Sequence, residues 1–141
     1  MTARIRCPRV ALVLLLCGIP VAQGGGTYLV QGIGLERVLE IGAAPPPNAQ
    51  KERNGWFSAA NLDFRTTSGN LDGKVVLIRC RDPNCLTDRG VRIGDSWADV
   101  LRRYGAPLDS SVANGKALIR YRGIGFLVRE VKVSAIFVLP P

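Results

Sequence analysis

Residues 32–45 of this 141-residue chain, slid by 62 positions, fall on residues 94–107 without a gap, and this repetition limits the fold more than anything else in the sequence. Gly32 meets Gly94, Val38 meets Val100, Leu39 meets Leu101, Ala44 meets Ala106 and Pro45 meets Pro107. Five identities in fourteen columns compare with roughly one expected by chance. Downstream, Leu62-x-Phe64 followed by Lys74-Val75-x-x-Ile78 parallels Ile119-x-Tyr121 followed by Lys132-Val133-x-x-Ile136. A unit of this size cannot bury a sufficient core alone. The copies, about residues 27–80 and 87–138, are therefore expected to share one core in a single domain over residues 27–141.

The second copy spells out a helix. Ser96 and Asp99 have capping-box spacing, so each can satisfy an unpaired backbone N–H at the helix start. Trp97, Val100, Leu101 and Tyr104 follow at i, i+3, i+4 and i+7, on one face, which assigns Trp97 to the core. Arg102 and Arg103 suit the negative end of the helix dipole, and Gly105 and Pro107 end it. In the first copy Leu35, Val38 and Leu39 predict an equivalent helix, closed by Gly42 and Pro45-Pro46-Pro47.

Strands are predicted near residues 60–66 and 74–80, around an Asp72-Gly73 turn signal, and near 117–122, 124–128 and 131–138. The expectation is an α+β fold in which two tandem helix-plus-β-meander repeats form one antiparallel sheet, covered on one face by short helices.

The run from Thr87 through Gly90, Ile93, Gly94 and Ser96, then Val100-Leu101-x-x-Tyr104-Gly105-x-Pro107 and Tyr121-x-x-Gly123-Ile124-x-Phe126, resembles a pattern in small exported bacterial domains. It is similar to those of the β-lactamase inhibitory protein and of the outer-membrane assembly lipoprotein BamE (SmpA). The resemblance covers residues 87–138 mainly and 27–80 faintly. It implies helices on an antiparallel sheet, and binding to another macromolecule without catalysis.

The N-terminus reads as an address. Arg4, Arg6 and Arg9 precede an uncharged apolar run over residues 10–22, too short for the roughly 20 residues of a membrane-crossing helix and broken by Pro20. A signal peptide over residues 1–24 is expected, with cleavage somewhere in 22–26, leaving a mature chain without a membrane span. Leu16 before Cys17 disfavours lipidation. Loss of the leader removes three arginines and leaves 16 basic against 11 acidic residues, a net charge of +5. It also leaves Cys80 and Cys85 as the one remaining cysteine pair. Across Arg81-Asp82-Pro83-Asn84 in an exported chain, this pair predicts a disulfide around a turn, with free thiols as the alternative.

Much catalytic chemistry is excluded because the chain has no histidine. Histidine-based triads and His-ligated zinc sites cannot be built. No serine has lysine three positions on, and Gly32-Ile33-Gly34 lacks the third glycine of a dinucleotide loop. Glu36 and Glu40 read as a solvated surface pair. No cofactor and no catalytic residue is assigned, and a carboxylate-based hydrolase is the remaining enzymatic alternative. The leading expectation is an exported, periplasmic or extracellular, non-enzymatic protein that binds another protein. The alternative is a binder of an anionic glycan or lipid through Arg120 and Arg122 on one strand face, with Arg129 and Lys132 nearby. Trp56 and Phe57 are the candidate aromatic anchors. Nucleic acid is not expected, because no aromatics are interleaved with the arginines as stacking platforms.

Overall fold

A computed structural model of the chain describes residues 26–141. The expected signal peptide and its cleavage region through residue 25 lie outside the described residues.

Alternation of apolar and polar residues dominates, and the fold follows it. The strands are β1 (Thr27–Leu29), β2 (Gly34–Leu35), β3 (Leu39–Glu40), β4 (Gln50–Lys51), β5 (Phe57–Ala59), β6 (Leu62–Thr66), β7 (Val75–Cys80), β8 (Cys85–Thr87), β9 (Asp109–Ala113), β10 (Lys116–Tyr121), β11 (Ile124–Arg129) and β12 (Lys132–Val138). A single helix among the described residues, α1 (Trp97–Tyr104), stands between β8 and β9. Eight strands form one sheet in the order β4-β5-β6-β7-β12-β11-β10-β9, every neighbouring pair antiparallel. Two four-stranded meanders thus meet along β7 and β12.

This corrects the expected α+β architecture: the described residues are 46% strand and 7% helix, and one short helix, not a layer of helices, packs on the sheet. The first predicted helix is absent. Its residues form the β2–β3 hairpin, with Gly34 opposite Glu40 and Leu35 opposite Leu39. The positions equivalent to the capping pair Ser96 and Asp99 hold Gly34 and Arg37, so nothing caps a helix there. Arg37 instead takes φ 66°, and its N–H donates to Glu40 Oε2 at 2.8 Å. Gly34 has φ 112° and sits so close to Ile78 and the Leu39 carbonyl that a Cβ would lie 2.5 Å from each.

The second predicted helix forms as its spacing dictates. Ser96 Oγ accepts the Asp99 N–H at 3.1 Å, and Asp99 Oδ2 accepts the Ser96 N–H at 3.3 Å. Val100 is fully buried, and Tyr104 reaches the sheet beside Tyr121 and Phe126.

One sheet face carries the core residues Phe57, Leu62, Phe64, Ile78, Cys80, Ile119, Tyr121, Phe126, Ile136 and Val138. Over it lie α1, the β2–β3 hairpin and the parallel pair β1–β8, which with the loop between β8 and α1 supply the buried Leu29, Leu39, Val91 and Val100. The chain closes this layer where Gly32 N–H donates to the Gly123 carbonyl at 2.9 Å. Cys80 and Cys85 are joined by a disulfide that ties β7 to β8. No helix of the described residues is long and apolar enough to cross a membrane.

Candidate binding face of the sheet

The opposite face of the sheet is the site candidate. Strand period places Leu118, Arg120, Gly125, Leu127, Ala135, Phe137, Leu77, Arg79, Arg65 and Asp63 there, away from the core. Register links them into rows. One runs across all eight strands: Gln50, Ser58, Asp63, Arg79, Phe137, Gly125, Arg120 and Asp109. An arginine–carboxylate pair stands near each end, and in the middle Phe137 lies beside a residue with no side chain. The gap over Gly125 is a hollow of about 200 Å3 lined by Leu77, Leu118, Arg120, Phe137 and Leu139.

The two ion pairs differ in setting. Arg79 donates from both Nε and Nη2 to Asp63 Oδ2, at 3.0 and 2.8 Å, and Arg81 joins the same oxygen at 3.1 Å. The Trp56 ring lies on this cluster, 3.8 Å from the Arg79 guanidinium carbon and 4.5 Å from that of Arg65. Cation–π contact of this kind draws the guanidinium groups of both arginines onto the ring. Beside it Glu52, Arg53, Asn54, Trp56, Asp63 and Arg79 border a polar hollow of about 370 Å3. At the other end Arg120 is hydrogen-bonded to Asp109, which raises the arginine's already high pKa.

The four expected cations do not form one stripe. Arg122 falls in the turn after β10, where its carbonyl accepts from Gln31, and lines a hollow of about 540 Å3 with Arg120, Leu108 and Leu139. Arg129 and Lys132 sit at the far end of their strands, directly opposite each other across the β11–β12 hairpin. There they meet Lys116, opposite Arg129 on β10, a residue the sequence reading did not single out. Lys116, Arg129 and Lys132 form a three-strand row of cations with no ion-pair partner among the described residues. Cross-strand register is the signal that would have found it.

Trp56 and Phe57 part company. Trp56 is half-buried on the arginine cluster, whereas Phe57 is 3% exposed and stacks on Phe64 at 5.6 Å. Phe57 is a core residue, because β5 turns it to the covered face.

No family model and no curated protein matches the chain. Among solved structures, the crystal structure of the uncharacterized protein yfeY from Escherichia coli is similar at 15% identity and a TM-score of 0.46, covering 82% of this chain and 99% of that one.

Proposed function

We propose that this chain is an exported, non-enzymatic binding protein, periplasmic or extracellular, that holds a protein partner on the open face of its sheet. The observation that carries this reading is the composition of that face. Trp56, Arg65 and Arg79 stand at one side of an apolar hollow lined by Leu77, Leu118, Phe137 and Leu139, and tryptophan and arginine around an apolar centre are the residues that dominate protein interfaces. An uncovered patch of this kind marks interaction surfaces. The basic leader pattern and the Cys80–Cys85 disulfide support export.

The test is capture from envelope and culture-supernatant fractions with the full chain, beside Trp56→Ala and Leu118→Glu on the face and Val38→Ser on the opposite layer. One protein captured by the wild type and by Val38→Ser, and lost by at least tenfold with both face variants, is the expected result. Equal capture by all four removes the open face from the function.

The row Lys116, Arg129 and Lys132 favours a second reading, an anionic glycan or lipid ligand. Like charges directly opposite one another in a sheet are unfavourable unless something neutralises them. Under that reading, binding to the anionic ligand weakens steeply as ionic strength rises, whereas capture through the apolar hollow changes little.

A further inference from the structure

The two edges of the large sheet are unlike. At one edge β4 has only two residues, carries Lys51 and follows Pro45-Pro46-Pro47, all features that discourage strand addition. The other edge, β9, has five residues, Asp109-Ser110-Ser111-Val112-Ala113, all exposed. It contains no proline, no lysine and no bulge, and its single charge is occupied by Arg120. We propose that β9 is a pairing edge for a second copy of this chain, the two β9 strands lying antiparallel about a two-fold axis at Ser111. The pairing uses the backbone of the sheet's edge, not the side chains of its open face, and the inference does not rest on the function proposed above.

The backbone sets the register. Asn114 and Gly115 have φ 54° and 75°, the two left-handed residues of a tight hairpin turn. Such a turn makes Ala113 and Lys116 a hydrogen-bonded pair, and so, counting in twos, Ser111 with Leu118 and Asp109 with Arg120. The N–H and C=O groups of Ser110 and Val112 therefore point away from the sheet. A two-fold axis at Ser111 sets Ser110 of each copy opposite Val112 of the other, and all four N–H groups find carbonyls. No other centre within β9 uses both outward-facing residues of both copies.

Charge agrees with this register. Ala113 comes to face Asp109 of the second copy, so the carboxylate that Arg120 holds there also stands, across a small side chain, at the end of the row Lys132, Arg129, Lys116, Ala113. Symmetry makes this happen twice. On the covered face Val112, 77% exposed, borders a hollow of about 400 Å3 lined also by Trp97, Ala117, Ile119, Val128 and Val131. The second copy's Val112 falls diagonally from it, about 7–8 Å away, and extends that apolar strip.

The experiment uses the full chain in a Cys7→Ser/Cys17→Ser background. In the proposed dimer the two Ser111 Cα atoms form a non-hydrogen-bonded pair about 4.5 Å apart, within disulfide range. Ser110→Cys places its two thiols on the other face with Cα atoms more than about 7 Å apart, too far to bridge. The expected result is a disulfide-linked dimer with Ser111→Cys on a non-reducing gel and none with Ser110→Cys. Sedimentation of the wild type up to about 1 mM should give a concentration-dependent dimer, weakened at least tenfold by Val112→Lys. A wild type that remains monomeric overturns the proposal. Equal linkage by both cysteine variants, or linkage by neither, overturns the register.

Discussion

Tyr104 and Tyr121 pack at a tilt with their ring centroids 5.3 Å apart, and both pack on Phe126, yet their hydroxyls have opposite fates. Tyr121 donates to the Gly105 carbonyl at 2.8 Å, securing the residue that ends α1. The Tyr104 hydroxyl is buried with no hydrogen-bond partner among the described residues. Burial pushes its pKa up to about 12. Tyr121→Phe should therefore cost about 1 kcal/mol in chemical denaturation, while Tyr104→Phe should be neutral or slightly stabilising. The pH dependence has a definite sign. Because the Tyr104 phenol is raised in the folded state from its ordinary 10.0, its contribution is full below pH 10 and is lost as pH rises through about 12. Tyr104→Phe should flatten that alkaline decline, and a limb unchanged by the substitution would assign it elsewhere.

At the scale of elements, α1 depends on its cap. Ser96→Ala should cost about 1 kcal/mol by removing the acceptor for the Asp99 N–H. The Asp99 carboxylate is held below its ordinary 3.8, first by the hydrogen bond from Arg102 and then by those from Ser96. Its contribution is thus present above that value and disappears as pH falls through the lowered folded pKa; Asp99→Asn should remove this acid dependence from the unfolding curve. The same cap explains what sequence made legible. The helix from Trp97 was readable because periodicity, cap and stop signals agreed, and β6, β7, β10, β11 and β12 were readable to within two residues from runs of β-forming residues between turn signals. The stripe Leu35, Val38, Leu39 misled because three apolar residues fit a hairpin as well as a helix, and Gly34 and Arg37 decide for the hairpin. β9 is absent from the sequence reading, since Asp-Ser-Ser-Val-Ala has no alternation to detect, although Asn114-Gly115 signals a hairpin. Glu130 and Val131 turn the β11–β12 hairpin at φ 52° and 60°, which neither residue type foretells. For the site, residue types located the cations, but only register showed which are paired and that Lys116 completes a row. Trp56 and Phe57 are adjacent, yet Trp56 precedes β5 and lies on the arginine cluster while β5 turns Phe57 into the core.

At the scale of the molecule, the Cys80–Cys85 bridge fastens β7 of the large sheet to β8, and through β8 to β1 in the covering layer. Both sulfurs are in fully buried residues. Closing so short a loop is worth about 2 kcal/mol, so Cys80→Ala/Cys85→Ala should lower unfolding stability by about that amount; an unchanged midpoint would show that packing alone holds the layer. The open face acts as a unit only because the two meanders are held in one register along β7 and β12. That seam is short, with Ile136 on Cys80, Phe137 on Arg79 and Val138 on Ile78. Each meander is built from neighbours in sequence and can assemble quickly, whereas the seam joins strands more than 50 residues apart in sequence and must wait for one half to find the other. Until it does, β7 and β12 are both naked edges, rich in β-branched residues and without charge at their centres apart from Arg79. The interval before that encounter is when the chain is most exposed to pairing with the wrong molecule, so the speed of closing three residue pairs sets how much of it reaches the native state.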